Sequence, residues 1–276
     1  QAALALPQEG GDMVVQSSSQ HPTEIQHKVA EALGVPMNAV RVEVRRMGGG
    51  FGGKESQGNA LACACAIVAA ATGKPVKMRY DRDDDMVITG KRHDFRIDYT
   101  AGFDRDGRLL AVDFRQYARC GWSMDLSLPV ADRAMLHADN AYSIPAIRIE
   151  SHRLRTNTQS NTAFRGFGGP QGMVGIERVL DHVAHAVGRD PIEVRRQNYY
   201  RAAARTPGGR LPPGPPGSIS TKMMVKERPG PEGVVARRCP RGPGRGGPGP
   251  GRPGYGPSPW AVIASPACTA GSRMRD

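Results

Sequence analysis

The sequence predicts an α+β (mixed α/β) body over residues 1–200, followed by a low-complexity tail over residues 201–276. Two observations support this division: strand-like and helical hydrophobic periods alternate through the body, and the composition changes abruptly after Tyr200. The tail holds 15 Gly and 15 Pro and shows neither period. Such a composition buries too little apolar surface to offset chain entropy, so we expect a disordered or only locally structured tail.

The first half of the body predicts two strands and two helices around a glycine loop. Residues 12–18 contain a short apolar run, and residues 40–46 alternate apolar with charged side chains as half-buried strands do. Residues 22–33 have apolar side chains at helical spacing, with Thr23 as a possible cap and Gly34 as a stop. Residues 56–72 predict a buried, Ala-rich helix.

The second half of the body predicts a hairpin followed by further strands and helices. The turn is Asp104-Arg-Asp-Gly107, a sequence typical of tight turns between strands. The remaining predicted strands are 76–80, 95–100, 109–118 and 148–155, and the remaining helices are 172–187 and 191–198. The acidic run at residues 81–85 is interpreted as a solvated loop in preference to a Ca²⁺ or Mg²⁺ site, because it lacks EF-hand spacing.

The net charge of +12 comes mainly from the tail, which carries 13 Lys or Arg and 3 Asp or Glu. The tail could bind RNA as Gly/Arg-rich segments do, but it lacks repeated Arg-Gly-Gly units and has only two aromatic residues. We therefore expect no nucleic-acid partner. The chain also has no apolar run of about 18 residues, so no membrane partner is expected either.

The five cysteines show neither a disulfide framework nor metal-ligand spacing, which predicts a cytoplasmic protein. Cys63 and Cys65 are two residues apart and could bind a metal as a pair. Their Ala-rich surroundings favour a buried helix instead.

The loop Gly48-Gly-Gly-Phe-Gly-Gly-Lys-Glu55 leaves three local interpretations open. It fits the dinucleotide pattern GxGxxG, but the acid expected about twenty residues later is missing. It nearly fits the phosphate loop GxxxxGK[ST], but Glu55 stands where a hydroxyl should bind Mg²⁺. A structural turn is the third possibility, although a turn does not need five glycines.

Two long motifs in register resemble the xanthine dehydrogenase and aldehyde oxidase family of molybdenum hydroxylases. They are Met47-Gly-Gly-Gly-Phe-Gly-Gly-Lys-Glu55 and Asn161-Thr-Ala-Phe-Arg-Gly-Phe-Gly-Gly-Pro-Gln171. The words Gly90-Lys-Arg-His93 and Asp132-Arg-Ala-Met-Leu-His137 between them also resemble the family. The resemblance covers residues 1–200 and implies the first half of a molybdenum-cofactor-binding domain.

The resemblance implies a molybdenum–molybdopterin cofactor, with Fe–S clusters and FAD on a partner domain or subunit. In this family the protein supplies positioning and electrostatics to the metal centre. The residues that match the family's contacts to the cofactor and its molybdenum are Gln20, Phe51 and Arg165.

Three further matches concern the substrate. Glu55 matches a residue that hydrogen-bonds a purine, Arg133 matches a cation facing the purine oxygen, and Phe167 matches one ring that packs on the substrate. Aldehyde-oxidising members typically carry apolar residues at the first two positions. The resemblance therefore implies oxidation of hypoxanthine and xanthine to urate, with an aldehyde or other N-heterocycle hydroxylase as the alternative.

The sequence also departs from the family. The glutamate that acts as the general base, and the second half of the cofactor pocket, have no match here, so we expect them outside this chain. The isolated chain is then expected not to oxidise xanthine. The abrupt change near Tyr200 suggests a tail translated out of frame, which sequencing of the gene around codons 200–210 would test.

Overall fold

The computed structural model describes residues 1–200, 260–264 and 268–270, which fall into two compact units. The first unit comprises Gln1–Asp94, Ala118–Ala131 and Arg153–Gly168. The second comprises Phe95–Tyr117, Asp132–His152 and the described part of Gly169–Asp276. Each unit has its own sheet, so the mixed α/β class predicted from the sequence is confirmed.

The first unit is built on a four-stranded sheet in the order β3-β2-β1-β4. Its strands are β1 (Ala2–Pro7), β2 (Met13–Ser17), β3 (Val40–Glu43) and β4 (Val76–Arg79). β1 is antiparallel to β2 and β4, whereas β2 and β3 are parallel. Ala5 lies opposite both Val15 and Val76, which fixes the register in the middle of the sheet.

Helices α1 (Pro22–Leu33) and α2 (Asn59–Thr72) form one core with this sheet. α2 contributes mostly small side chains, which allow its backbone to approach β1 closely. The core includes Ala3, Ala5, Met13, Val15, Ile25, Val29, Leu61, Ala62, Cys65, Ala66 and Ala69. Both helices end on a left-handed glycine, Gly34 and Gly73. A short third helix, α3 (Arg82–Ile88), is capped by the side chain of Asp81, which accepts from the Asp84 N–H.

The second unit contains the sheet β7-β6-β5-β8, with β9 also paired to β5. Its strands are β5 (Phe95–Asp104), β6 (Leu109–Gly121), β7 (Ala146–Arg155), β8 (Trp260–Ala264) and β9 (Cys268–Ala270). The predicted hairpin turn between β5 and β6 is confirmed. Asp104 Oδ1 accepts hydrogen bonds from the N–H groups of Asp106 and Arg108, and Gly107 has a φ of +85°.

Helices α4 (Ser127–Leu136), α5 (Gly169–Val187) and α6 (Pro191–Asn198) complete the fold. α5 lies close to the sheet at Gly175, where an added Cβ would lie 3.3 Å from Ile97. α6 is fastened to α5 through Arg195, which donates to Glu177 and Asp181 at 2.8 Å each.

Several local predictions were wrong. The acidic residues 83–85 lie in the first turn of α3 and not in a loop, because Asp81 caps a helix that starts directly before them. Thr23 does not cap α1, which begins at Pro22 with His21 as its N-cap and no side-chain cap bond. β1 and α4 were not predicted. The predicted tail lies outside the described residues apart from β8 and β9.

Among the described residues, no helix has both the length and the apolar character needed to cross a membrane. Within the same residues, no group of three or more His, Cys, Asp or Glu side chains is arranged to hold a metal ion. The predicted buried helix around Cys63 and Cys65 is confirmed as α2, in which Cys65 is buried.

Candidate functional site

The glycine loop, residues 47–55, has a backbone that only glycine adopts freely. Gly48, Gly49, Gly52 and Gly53 all have φ between +71° and +92°. The start of the loop is fixed by a hydrogen bond, because Ser18 Oγ donates to the Met47 carbonyl at 2.8 Å. Residues 56–58 separate the loop from α2, so its N–H groups do not form the N-terminus of that helix. This geometry differs from the dinucleotide and phosphate loops considered from the sequence.

The side chains of Gln20 and Glu55, the last residue of this loop, are hydrogen-bonded to each other. Gln20 Nε2 donates to Glu55 Oε1 at 3.0 Å, and the Gln20 N–H donates to the Lys54 carbonyl at 3.0 Å. Glu55 sets the orientation of the amide, since the opposite orientation would bring two oxygens together. Gly50 packs on the same side chain, where an added Cβ would lie 3.0 Å from Gln20 Nε2.

The second motif, residues 161–171, contains a loop that is also strained. Phe167 is a non-glycine residue with a φ of +48°, and its N–H donates to the Phe164 carbonyl at 2.7 Å. Arg92 holds this loop from outside the motif. Its Nη2 donates to the Arg165 carbonyl at 2.7 Å, and its guanidinium lies 4.3 Å from the centre of the Phe164 ring.

The two loops touch at Gly52. A Cβ added there would lie 2.5 Å from the Ala163 carbonyl oxygen and 2.7 Å from the Phe164 Cα. Real Cβ atoms do not approach backbone this closely, so only glycine fits. The first unit therefore brings together two motifs that stand far apart in the sequence.

A carboxylate that the sequence did not single out ties the two loops further. Asp125 accepts from Ser56 Oγ at 2.8 Å, from Gln57 Nε2 at 2.6 Å and from Thr162 Oγ1 at 2.8 Å. Ser56 and Gln57 follow the glycine loop, and Thr162 belongs to the second motif. Arg92 was likewise missed as an individual residue. For Asp125, no local sequence signal indicates the role.

The predicted site residues are distributed over the two units. Gln20, Phe51, Glu55, Arg165 and Phe167 lie in the first unit, and Arg133 lies on α4 in the second. Phe51 and Arg165 are exposed, whereas Gln20, Glu55 and Phe167 are half-buried. Arg133 is exposed, and its Nε donates to His137 Nε2 at 3.3 Å.

Burial governs the protonation of two basic groups in the motif Gly90-Lys-Arg-His93. It lowers the pKa of His93, and the nearby Asp125 carboxylate opposes this effect. It also lowers the pKa of Lys91. His93 is held in place by a 2.7 Å hydrogen bond between its Nε2 and Ser127 Oγ. A neutral imidazole therefore lies behind the second loop.

Among the described residues, no group donates a hydrogen bond to two buried oxygen atoms of the site, Gln20 Oε1 and Glu55 Oε2. Buried polar atoms are normally satisfied, so both oxygens are suited to accept a hydrogen bond from a bound molecule. Gln20 Nε2 has a second hydrogen besides the one given to Glu55. The pair therefore offers one donor and two acceptors to a bound molecule, beside a loop whose glycines permit close approach to backbone N–H groups.

Residues 1–199 match the model of one protein family, the molybdopterin cofactor-binding domain. The chain is 46% identical over 205 residues to a xanthine dehydrogenase of Drosophila subobscura and 46% identical over 199 residues to the xanthine dehydrogenase/oxidase of Felis catus. It is 43% identical over 207 residues to a nicotinate hydroxylase of Emericella nidulans. These alignments cover 72% to 75% of the chain. The chain spans about 15% of the length of each relative.

Two solved enzyme structures are also similar to this chain. The aldehyde oxidoreductase of Desulfovibrio desulfuricans superposes with a TM-score of 0.68 at 28% identity, over 77% of this chain and 23% of that one. Quinoline 2-oxidoreductase from Pseudomonas putida superposes with a TM-score of 0.62 at 26% identity, over 72% of this chain and 26% of that one.

Proposed function

Because the chain belongs to the molybdopterin cofactor-binding domain family of the molybdenum hydroxylases, we propose that it forms part of the cofactor and purine pocket of a xanthine dehydrogenase. The observation that carries this proposal is the Gln20–Glu55 pair, whose buried oxygens Gln20 Oε1 and Glu55 Oε2 have no partner within residues 1–200, 260–264 and 268–270. The similarity to xanthine dehydrogenases over residues 1–199 supports it.

Gln20, Phe51 and Arg165 are the proposed contacts to the molybdenum–molybdopterin group. When bound, that group supplies the two-electron oxidation that no amino-acid side chain provides. The Gln20 amide has a hydrogen left to donate after its bond to Glu55. Phe51 and Arg165 stand in the two glycine-rich loops, and both residues are exposed. Arg92 supports the second of these loops through the Arg165 carbonyl.

Glu55, Arg133 and Phe167 are the proposed contacts to the purine. Glu55 Oε2 accepts a hydrogen from a ring N–H, which satisfies an oxygen to which no described residue donates. Phe167 packs its ring against the flat substrate. Arg133 provides a positive charge that stabilises negative charge on the purine oxygen.

The rest of the activity belongs to other parts of the enzyme. Fe–S clusters and FAD on a partner domain or subunit receive the electrons, and the general-base glutamate lies outside this chain. We place the enzyme in the cytoplasm, and the free thiols of Cys63, Cys65 and Cys120 support that location. The proposal includes no nucleic-acid or membrane partner.

A second candidate is the hydroxylation of a different N-heterocycle. The nicotinate hydroxylase of Emericella nidulans is 43% identical to this chain, close to the value for the xanthine dehydrogenases. Pyridine and purine substrates both present ring nitrogens to a carboxyl group, so the Gln20–Glu55 pair alone does not separate them.

A graft tests both candidates. Residues 1–199 replace the matching segment of the Felis catus xanthine dehydrogenase/oxidase, and the purified chimera is assayed for molybdenum content and for oxidation of xanthine, nicotinate and an aldehyde. We expect bound molybdenum and urate formation from xanthine. A chimera that holds molybdenum but prefers nicotinate supports the second candidate, and a folded chimera without molybdenum contradicts the cofactor assignment.

A further inference from the structure

The Asp125 carboxylate is saturated with hydrogen bonds. Oδ1 accepts from Ser56 Oγ, from Thr162 Oγ1 at 2.8 Å and from the Leu126 N–H at 2.6 Å. Oδ2 accepts from Gln57 Nε2 at 2.6 Å, and the single Ser56 hydroxyl hydrogen is shared between the two oxygens, with Ser56 Oγ 2.9 Å from Oδ2. Hydrogen bonds to an ionised acceptor are stronger than neutral ones, so this cluster is a rigid junction.

The donors come from distant parts of the chain. Ser56 and Gln57 are the two residues that follow Glu55, and Thr162 lies at the start of the second motif. Their separations from Asp125 in sequence are 69, 68 and 37 residues. A single carboxylate therefore connects the segment that carries Glu55 to the segment that carries Arg165 and Phe167.

Gln57 fixes which groups donate and which groups accept the hydrogen bonds of this junction. Its Nε2 donates to Asp125, and its Oε1 accepts from the Gly90 N–H at 2.6 Å. Gly90 in turn packs on the second motif, where an added Cβ would lie 2.8 Å from the Thr162 Cγ2 atom. Rotating the amide would place two donors against each other at Gly90. Gln57 therefore requires an acceptor at position 125.

We propose that Asp125 is a positioning residue that fixes Glu55 and the second loop relative to each other. Its backbone supports this role, since Asp125 has a φ of +40°, a conformation that few non-glycine residues adopt. The positioning role rests on the geometry alone. Its consequence for a bound purine and cofactor rests on the proposed function.

Because Gln57 donates to Asp125, variants that exchange the donor and the acceptor between these two positions test the proposal. Asp125→Asn keeps the shape but places an NH₂ group against one of two fixed donors, Gln57 Nε2 or the Leu126 N–H, so the junction loses an acceptor in either orientation. Gln57→Glu alone places two carboxylates together. The double variant Asp125→Asn/Gln57→Glu restores a donor opposite an acceptor, because the new amide donates to the new carboxylate. The second oxygen of that carboxylate can still accept from the Gly90 N–H. The two changes cancel in charge, so the double variant has the net charge of the unmodified chain.

Hydrogen exchange, measured by mass spectrometry on the full chain, reports how fast the backbone amides of the two loops exchange with solvent. In Asp125→Asn, peptides over residues 54–58 and 160–167 should both exchange about tenfold faster, while peptides from β1 and β2 stay unchanged. The double variant should recover most of this loss. Asp94→Asn is the matched control, because Asp94 is an acid of the same unit bound to one exposed cation, Arg119, at 2.8 Å.

Three outcomes would overturn the positioning role: unchanged exchange at either loop, equal acceleration in β1 and β2, or no recovery in the double variant. Failure of the proposed function would look different. In that case the exchange pattern would persist, and the graft carrying the unmodified residues 1–199 would fold without molybdenum.

Discussion

The side-chain amide of Gln20 donates a 3.0 Å hydrogen bond to the carboxylate of Glu55. The family resemblance implies different partners for these residues, the molybdenum centre and the purine, yet they are direct neighbours. Their contact leaves one oxygen of each side chain buried and without a partner among the residues that the structure describes. The proposed contact to the molybdenum centre and the proposed contact to the purine are therefore hydrogen-bonded to each other.

We predict that Gln20→Ala destabilises the chain more than Glu55→Ala. Removing the amide leaves a half-buried carboxylate without its side-chain donor, at a cost of about 1–3 kcal/mol. Removing the carboxylate eliminates a group that already has one unpaired oxygen. Urea unfolding of both single variants and the double variant should give a coupling energy of about 1 kcal/mol.

Gln16 and Glu43 provide the control for this cycle. Gln16 Nε2 donates to Glu43 Oε2 at 3.0 Å, but Glu43 also pairs with Arg41 at 2.8 Å. Gln16→Ala should therefore cost less than Gln20→Ala. Equal costs for the two amides would show that the Gln20–Glu55 pair has no special environment.

We predict that Gly52→Ala disrupts the contact between the loops. The added methyl group would lie 2.5 Å from the Ala163 carbonyl, and Gly52 has a φ of +92°. Backbone strain and the steric clash together should cost about 3 kcal/mol or more in the free energy of unfolding.

Gly34→Ala separates these two effects. Gly34 has a φ of +68° but nothing within 4 Å of an added Cβ, so only backbone strain of about 1 kcal/mol is expected. Urea denaturation of both variants measures the difference. If Gly52→Ala is no worse than Gly34→Ala, the loops are not in contact in solution.

Local signals account for the parts of the fold that were predicted well. The bounds of α6 follow from Asp190, which caps the helix through the Ile192 N–H, and from the proline at position 191. β1 was missed because its Ala-rich sequence has little intrinsic strand preference. It is a strand because β2 and β4 pair with it on both sides, which no local rule shows.

The site was predictable only where long motifs carry it. The two glycine-rich motifs indicated Phe51, Glu55, Arg165 and Phe167 as residue identities, but not the contact of Gln20 with Glu55. Asp125 was invisible because its three side-chain partners lie 37 to 69 residues away. Such a junction is a property of the tertiary structure, and a single sequence contains no signal for it.

We predict that the chain loses stability as the pH falls below about 6.5, in part because of His93. Burial lowers the pKa of His93 from its ordinary value, so the unfolded state binds a proton more readily than the native state. The stabilisation is complete above the unfolded pKa and is lost as the pH falls toward the folded pKa. Unfolding measured between about pH 5 and pH 8 should show this dependence.

His93→Gln should flatten that dependence, since the amide does not titrate. Its side chain can still reach toward Ser127, whose Oγ lies 2.7 Å from His93 Nε2. His21→Gln is the control, because His21 is exposed. An equal pH dependence in the His93 variant and the unmodified chain would assign the acid sensitivity to other groups.

We predict that Glu55→Ala in the grafted enzyme lowers kcat/KM for xanthine about 100-fold while oxidation of an aldehyde changes little. Purine recognition needs an acceptor for a ring N–H, and an unmatched buried polar group discriminates strongly between substrates. Arg133→Met should act in the same direction, because it removes a positive charge that an aldehyde does not need. Glu9→Ala is the control, since Glu9 is an exposed acid of the same unit. Equal losses on xanthine and aldehyde would show that Glu55 supports the loop rather than the purine, because a purely structural defect affects both substrates alike.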